Sequence, residues 1–294
     1  MNGPLTSPVP RLAGGRFLSM IAFEHSVFAL PFALLAVWAA TDGQPAAVDV
    51  GWIVVAMISA RTFAMATNRI VDRELDALNP RTAQRELVTG VVTLSTAWTG
   101  TLISLAVFAV AVSQLHPIVW PLAPIALAVL ALYPYLKRWT WACHFGLGFA
   151  QSIAPIGAWL AVSGEWSAAA LTLGVSVGLW MAGFDLIYAT QDLAVDRRLG
   201  VHSVPADFSV TAALVLARVL HVGTVALWLL FGVLDGRGPL WWAAAAGGAF
   251  MLAYEHRLVQ PEDLSRVDRA FFTVNGWVAI GVGLLGTLDT VLVA

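Results

Sequence analysis

The sequence predicts an all-α membrane protein of nine transmembrane helices, two four-helix halves plus a ninth helix. Three observations point there. Hydrophobic residues make up 59% of the 294 residues and charged residues 12%, whereas a soluble domain carries about 25% charged residues; the mean hydropathy is +0.78. Nine apolar runs approach the roughly 20 residues that cross a bilayer as a helix. The basic residues, finally, alternate between the connections as a nine-span chain requires.

Residues 1–16, with Pro4, Pro8, Pro10, Arg11 and Arg16, form a cytoplasmic tail. The apolar run after Arg16 is too long for the core of a signal peptide and reads as the first span, 17–40. The remaining runs lie near 51–71, 92–113, 118–136, 142–162, 168–190, 208–231, 239–256 and 269–291. Barrel strands would be shorter and alternate in polarity, so the spans are helical. They use nearly the whole chain, so residues 1–294 form a single domain. With nine spans, one side receives Arg11, Arg16, Arg69, Arg73, Arg81, Arg85, Lys137, Arg138, Arg197, Arg198, Arg257, Arg266 and Arg269, and the other only Arg237. This asymmetry puts the N-terminus and the basic loops in the cytoplasm and the C-terminus outside.

Composition also excludes several classes. A net charge of −2 and a pI near 6.3 leave no electrostatic footprint for nucleic acid. Cys143 is the only cysteine, so it forms neither an internal disulfide nor a cysteine-based metal site.

Two basic-side segments concentrate the polar residues. The first holds Asn68, Asp72 and Asp76, followed by Asn79, Pro80, Arg81, Thr82 and Arg85. Spacings of i, i+4 and i+8 put its amide and both acids on one helical face, which Arg61 and Met65 extend into the membrane. The second holds Asp185, Tyr188, Asp192 and Asp196, then Arg197 and Arg198; its spacings of i, i+3, i+7 and i+11 again mark one face. Carboxylates repeated at i, i+4 repel each other, and a cation between them reverses the sign. Carboxylates with an amide oxygen are hard ligands that suit Mg²⁺ bound together with a substrate phosphate. No His or Cys cluster suggests zinc. A single DxxxD near a span end reads most simply as a solvated surface. Here Asp72 to Asp192 and Asp76 to Asp196 are the same 120 residues apart, which suggests a distant internal repeat and favours function.

With these residues the sequence resembles the UbiA superfamily of intramembrane prenyltransferases. Asn68, Asp72 and Asp76 match its NxxxDxxxD motif, and Asp185, Tyr188, Asp192 and Asp196 its DxxYxxxDxxxD motif. Asn79–Thr82, Arg85 and the Tyr133–Arg138 stretch are similar as well, while Glu86-Leu-Val departs from the Pro-Leu-Pro of many members. The resemblance implies a nine-helix fold around a central cavity that opens laterally to lipid. It implies Mg²⁺-dependent transfer of a polyprenyl group from its diphosphate to an aromatic acid, in the inner membrane of a prokaryote. The segments Phe23–Pro31, Gln191-Asp192 and Gly200–Pro205 look most like the menaquinone branch of the futalosine pathway, whose acceptor is 1,4-dihydroxy-6-naphthoate. A related alternative is 4-hydroxybenzoate polyprenyltransferase of ubiquinone biosynthesis.

This chemistry gives the residues roles. Asn68, Asp72, Asp76, Asp185, Asp192 and Asp196 are candidate Mg²⁺ ligands on two sides of a diphosphate, with Asp72, Asp76, Asp192 and Asp196 expected to be catalytic. Arg81, Arg85, Lys137, Arg197 and Tyr188 are candidate diphosphate contacts. An apolar cavity excludes water from the allylic cation. Arg61 can anchor an acceptor carboxylate or form an intramembrane ion pair with Glu24 or Asp185. Glu24 and His25 are expected in the acceptor pocket. His144, Gln151 and Asn275 are expected mainly to pack helices through hydrogen bonds, and His116 and His221 carry no evident chemistry. A second class, an ion-coupled transporter, would also use intramembrane charges and an internal repeat; its site would lie near the midplane, whereas these acids cluster at span ends. The sequence leaves the oligomeric state open.

Overall fold

The computed structural model describes Phe17, Ser19, Met20 and residues 28–293. Glu24 and His25, both expected in the acceptor pocket, lie outside the described residues. The described chain is almost wholly helical: α1 Leu30–Ala40, α2 Ala47–Leu78, α3 Leu94–Ser113, α4 Ala123–Leu132, α5 Cys143–Ser163, α6 Ala168–Ala189, α7 Leu193–Leu199, α8 Val210–Leu234, α9 Pro239–Leu258 and α10 Asn275–Val293.

The helix ends follow local chemistry. Thr93, Ser167 and Ser209 accept hydrogen bonds from the backbone N–H of Thr96, Ala169 and Ala212 and so cap α3, α6 and α8, satisfying donors that the helix itself leaves unpaired. Gly164 ends α5 at φ +72°, a conformation that costs glycine least.

Six stretches are long and apolar enough to cross a membrane: Ala47–Leu78, Leu94–Ser113, Cys143–Ser163, Ala168–Leu199, Val210–Leu234 and Arg269–Val293. The expected count of nine is therefore not reproduced among the described residues. The run near 118–136 fails because Pro121, Pro124 and Pro134 fall within it and Pro117 just before it, and the stretch is divided into a 3-10 turn at Pro117–Val119, the ten residues of α4 and a 3-10 segment at Tyr133–Arg138; proline cannot donate in a helix interior and so stands at the starts of these pieces or between them. Helix α9 has the length, but its last turns hold Glu255, His256 and Arg257. The described helix of the first run is the 11 residues of α1. The second run, by contrast, is longer than expected: α2 continues through both acids of the first motif.

Helices α1, α5, α6, α8, α9 and α10 pack successively in a closed circuit. Its interior is filled by aromatic rings: Phe32 lies 5.4 Å from Trp180 and stacks 6.4 Å from Trp228. Lipid tails are as apolar as these side chains, so close packing rather than transfer from water holds the helices together. Glycines set the closest approach. A Cβ on Gly148 would stand 2.4 Å from the carbonyl oxygen of Gly178, so α5 and α6 touch backbone to backbone there. The two helices run antiparallel, so one turn back along α5 and two turns onward along α6 lead from this crossing to His144 and Asp185. Large exposed apolar side chains, such as Leu102, Val222, Phe250 and Leu284, cover the outer surface and suit contact with lipid.

Candidate active site

The long helix α2 carries Arg61, Met65, Asn68, Asp72 and Asp76 along one side. Asp72 is 2% exposed and Asp76 7%, which removes the solvated-surface reading of this motif. Each buried carboxylate meets cations. Lys137 donates to Asp72 at 2.5 Å, and Arg138 reaches the other oxygen of Asp72 at 3.3 Å. Arg85 donates to Asp76 at 2.5 Å. Arg138 also donates to the Val71 carbonyl at 2.8 Å, tying the 3-10 segment Tyr133–Arg138 to the side of α2.

The second motif is built differently. Asp185 and Tyr188 lie on α6, Asp192 ends a 3-10 turn at Thr190–Asp192, and Asp196 lies on α7. The single helical face expected for these four residues is thus interrupted by a tighter turn, where the Thr190 hydroxyl bonds back to the Ile187 carbonyl at 2.7 Å. Asp185 pairs with His144 Nδ1 at 2.7 Å. Asp196 accepts from the Ser203 hydroxyl at 3.0 Å.

The Asn-Pro-Arg turn after α2 joins the motifs. Asn79 Oδ1 accepts the backbone N–H of Arg81 at 3.0 Å, while Asn79 Nδ2 donates to Asp192 at 2.8 Å. Arg81 grips both oxygens of Asp192, at 3.0 and 2.5 Å, and donates to the Tyr188 hydroxyl at 3.0 Å. Burial works against the charge on Arg81, but the hydrogen bond and charge of Asp192 outweigh it and hold the guanidinium above the ordinary arginine range. Tyr188 also packs against Phe271, 4.2 Å between ring centroids. Phe271 lies in a π-helical turn, Arg269–Val274, a widened geometry common at functional sites.

Among the expected diphosphate contacts, Arg81, Arg85, Lys137 and Tyr188 thus stand with the acids. Arg197 instead donates to the Ala206 carbonyl at 3.1 Å and pairs with no motif carboxylate among the described residues. The Arg61–Asp185 ion pair is not seen, Asp185 pairing with His144 instead; the alternative partner, Glu24, lies outside the described residues. Arg138 was not expected to meet an acid; its signal was adjacency to Lys137 in one basic turn. Asn275 bridges Trp180 and Glu255, each at 2.7 Å. His221 and His256 pair within the same packing region at 2.9 Å.

A cavity of about 380 Å³ runs beside this cluster, within the size range of ligand pockets. Its lining comes from the start of α1, from α2 to α5 and from the turns between them, with Trp166. It therefore lies to one side of the aromatic-filled circuit rather than at the centre of all the helices. The wall is overwhelmingly apolar, and Arg61, Tyr133 and Gln151 are its main polar side chains. Arg61 Nε is buried and has no hydrogen-bond partner among the described residues. Ile125 and Phe149, both lining residues, are each 61% exposed, so the cavity opens sideways between α4 and α5. Its other end leads to the acids: Met65 precedes Asp72 by about 10 Å of helix rise, and Tyr133 precedes Lys137 by about 8 Å of 3-10 rise.

The donor set fits a hard divalent cation. It consists of carboxylate and amide oxygens with no thiolate or imidazole cluster, and its cations can exchange a carboxylate for a phosphate oxygen. No three His, Cys, Asp or Glu side chains converge as a metal cluster among the described residues.

Residues 29–277 match the model of the UbiA prenyltransferase family. The chain belongs to that family. It is an integral membrane prenyltransferase. It is 32% identical over 250 residues to the 4-hydroxybenzoate octaprenyltransferase of Aromatoleum aromaticum, covering 83% of each chain. It is also 32% identical to the 4-hydroxybenzoate octaprenyltransferase of Azotobacter vinelandii, over 86% of this chain and 85% of the other. Among solved structures, the apo UbiA homolog of Aeropyrum pernix K1 superposes with a TM-score of 0.83 at 30% identity, over 91% of this chain and 98% of the other. The Archaeoglobus fulgidus UbiA homolog bound to GPP and Mg²⁺ shares the fold with a TM-score of 0.72 at 19% identity, over 94% of this chain and 99% of that one. The relatives' names carry 4-hydroxybenzoate, not the naphthoate expected from the menaquinone-branch resemblance.

Proposed function

We propose that this prenyltransferase moves a polyprenyl group from polyprenyl diphosphate to an aromatic acid, with 4-hydroxybenzoate the favoured acceptor. The observation that carries the reading is one apolar cavity with a buried arginine nitrogen in its wall that has no partner among the described residues, and a paired acid–base cluster beyond its end. The apolar wall accommodates the isoprenoid and keeps water from the allylic centre. Arg61 meets the acceptor carboxylate, a charge-assisted contact that its Nε does not make among the described residues. Arg81, Arg85 and Lys137 turn from Asp192, Asp76 and Asp72 to the diphosphate oxygens. Asn68, Asp72, Asp76, Asp185, Asp192 and Asp196 are the residues that would hold Mg²⁺. When bound, Mg²⁺ supplies positive charge that stabilises the departing diphosphate.

The bond balance is simple. The C–O bond to diphosphate breaks and its electron pair leaves with the diphosphate. A ring carbon of the acceptor forms the new C–C bond and loses its proton. The acids and basic loops occupy the cytoplasmic side, as the distribution of arginine and lysine supports. The relatives' names support 4-hydroxybenzoate. A second reading, 1,4-dihydroxy-6-naphthoate, rests on the segments Phe23–Pro31, Gln191-Asp192 and Gly200–Pro205.

The test is competition between both acids, in equal amounts, over purified protein with Mg²⁺ and one polyprenyl diphosphate, with product masses as readout. Prenylated 4-hydroxybenzoate in excess supports the proposal, and prenylated naphthoate in excess selects the second reading. Full turnover in excess chelator would remove the metal from the account.

A further inference from the structure

Three consecutive residues after α7 touch three parts of the acidic cluster. The His202 N–H donates to the Lys137 carbonyl at 2.7 Å. The Ser203 hydroxyl donates to Asp196 at 3.0 Å. The Val204 N–H donates to His144 Nε2 at 3.3 Å. Gly200, at φ +67°, reverses the chain to allow this, and the Val201 N–H closes back onto the Asp196 carbonyl at 2.9 Å. Lys137 itself holds Asp72, so this short segment connects both motifs.

His144 lies at the junction. It is in the first turn of α5 and 2% exposed. A backbone N–H can only donate, so the His144 nitrogen that receives it carries the lone pair. The other nitrogen, Nδ1, then carries the ring proton and donates it to Asp185, 2.7 Å away. Geometry thus selects one tautomer and fixes the Asp185 carboxylate as acceptor. The close crossing at Gly148 and Gly178 leaves the imidazole in register with both partners.

We propose that His144 is a positioning residue for prenyl transfer, which orients Asp185 through Nδ1–H while anchoring the 202–204 segment through Nε2. The proposal rests on the reading of Asp185 and Asp196 as diphosphate-side residues. It assigns the Asp185 contact the functional weight and the Val204 contact a structural one. Asn and Gln separate the two contacts. His144→Asn places an amide N–H near the Nδ1 position and keeps the Asp185 bond. His144→Gln places an amide oxygen near Nε2 and keeps the Val204 bond.

The experiment uses full-length protein in detergent. It measures binding of geranyl S-thiolodiphosphate in Mg²⁺ by calorimetry, the Mg²⁺ half-saturation and both substrate KM values, and the ¹⁵N histidine spectrum. His144→Gln and His144→Ala should weaken analogue binding and raise the Mg²⁺ half-saturation by about 10-fold or more, as for other groups that orient a ligating residue. His144→Asn should stay within about threefold of the unaltered protein on that scale, the acceptor KM should stay unchanged in all three, and the spectrum should show a neutral, Nδ1-protonated ring. Equal effects of Asn and Gln, a change confined to the acceptor KM, or an Nε2-protonated ring would overturn the proposal. If His144→Ala does not fold, the Asn–Gln pair decides alone. An unaltered protein that binds the analogue but prenylates no aromatic acid would sink the acceptor reading and leave this comparison standing.

Discussion

The first acidic motif lies on one unbroken helix and is closed by charge, whereas the second crosses a change of helical type and is held largely by polar partners. Asp72 and Asp76 are buried on α2 and meet Lys137, Arg138 and Arg85. In the second motif, Asp185 meets an imidazole, Asp196 a hydroxyl, and Asp192 both an amide and Arg81. The repeat visible in the spacing is therefore not a repeat in construction. The straight helix needs cations because it buries its acids beside one another at i, i+4. The broken helix gives each acid a different kind of partner, and both Asn79 and Arg81 reach Asp192 from the first motif's loop. We take the first motif as the rigid side of the diphosphate site and the second as the side set by its neighbours.

This contrast can be broken experimentally. The largest effect is expected for Asp72→Asn, which removes the charge facing Lys137 and Arg138. Turnover should fall by about 10²–10³-fold or more, the scale for losing one preorganised electrostatic group, in a steady-state assay on protein that still elutes as a folded species. Normal turnover would remove Asp72 from the site. Next comes stability. Asp72 is buried and its loss leaves cations unpaired, so Asp72→Asn should cost about 2–3 kcal/mol, somewhat below the range for fully buried pairs because Lys137 and Arg138 keep some solvent contact. Asp192→Asn, facing an exposed Arg81, should cost about 1 kcal/mol or less. Unfolding in detergent ranks the two, and the reverse order would contradict the assignment of rigid and adaptable sides. The smallest effect is expected for Ser203→Ala, which removes one hydroxyl donor from Asp196: about 1 kcal/mol, or a several-fold rise in the prenyl diphosphate KM, with no change in the acceptor KM. A change in the acceptor KM alone would place Asp196 elsewhere.

Much of this site was legible in the sequence, because helical spacing is local. Asn68, Asp72 and Asp76 share a face for the reason that residues i, i+4 and i+8 must, and α2 is unbroken. Apolar length likewise marks α2, α3, α5, α6, α8 and α10, the last with the π-helical turn before it, as spans. What spacing does not carry is the partner of each acid. Lys137 and Arg138 stand 65 and 66 residues from Asp72, and only the packing of the Tyr133–Arg138 segment against α2 brings them together. Composition also overrated the 118–136 run, whose hydropathy hides three prolines' worth of lost helix. His144 looked like a helix-packing residue, and its bond between helices is real; the Val204 N–H on its other nitrogen depends on a turn that no periodicity announces.

The central claim is that the cavity and the acid cluster form one site, with the acceptor held at Arg61 and the diphosphate at the acids. Separate KM values for the two substrates of Arg61→Ala test it most directly. Losing a charge-assisted, partly desolvated contact should cost roughly 2–5 kcal/mol of acceptor binding, seen as a strongly raised acceptor KM, while the prenyl diphosphate KM stays within about twofold because the first acid, Asp72, stands about 16 Å further along α2. A raised prenyl diphosphate KM with an unchanged acceptor KM would contradict the account and assign Arg61 to the diphosphate.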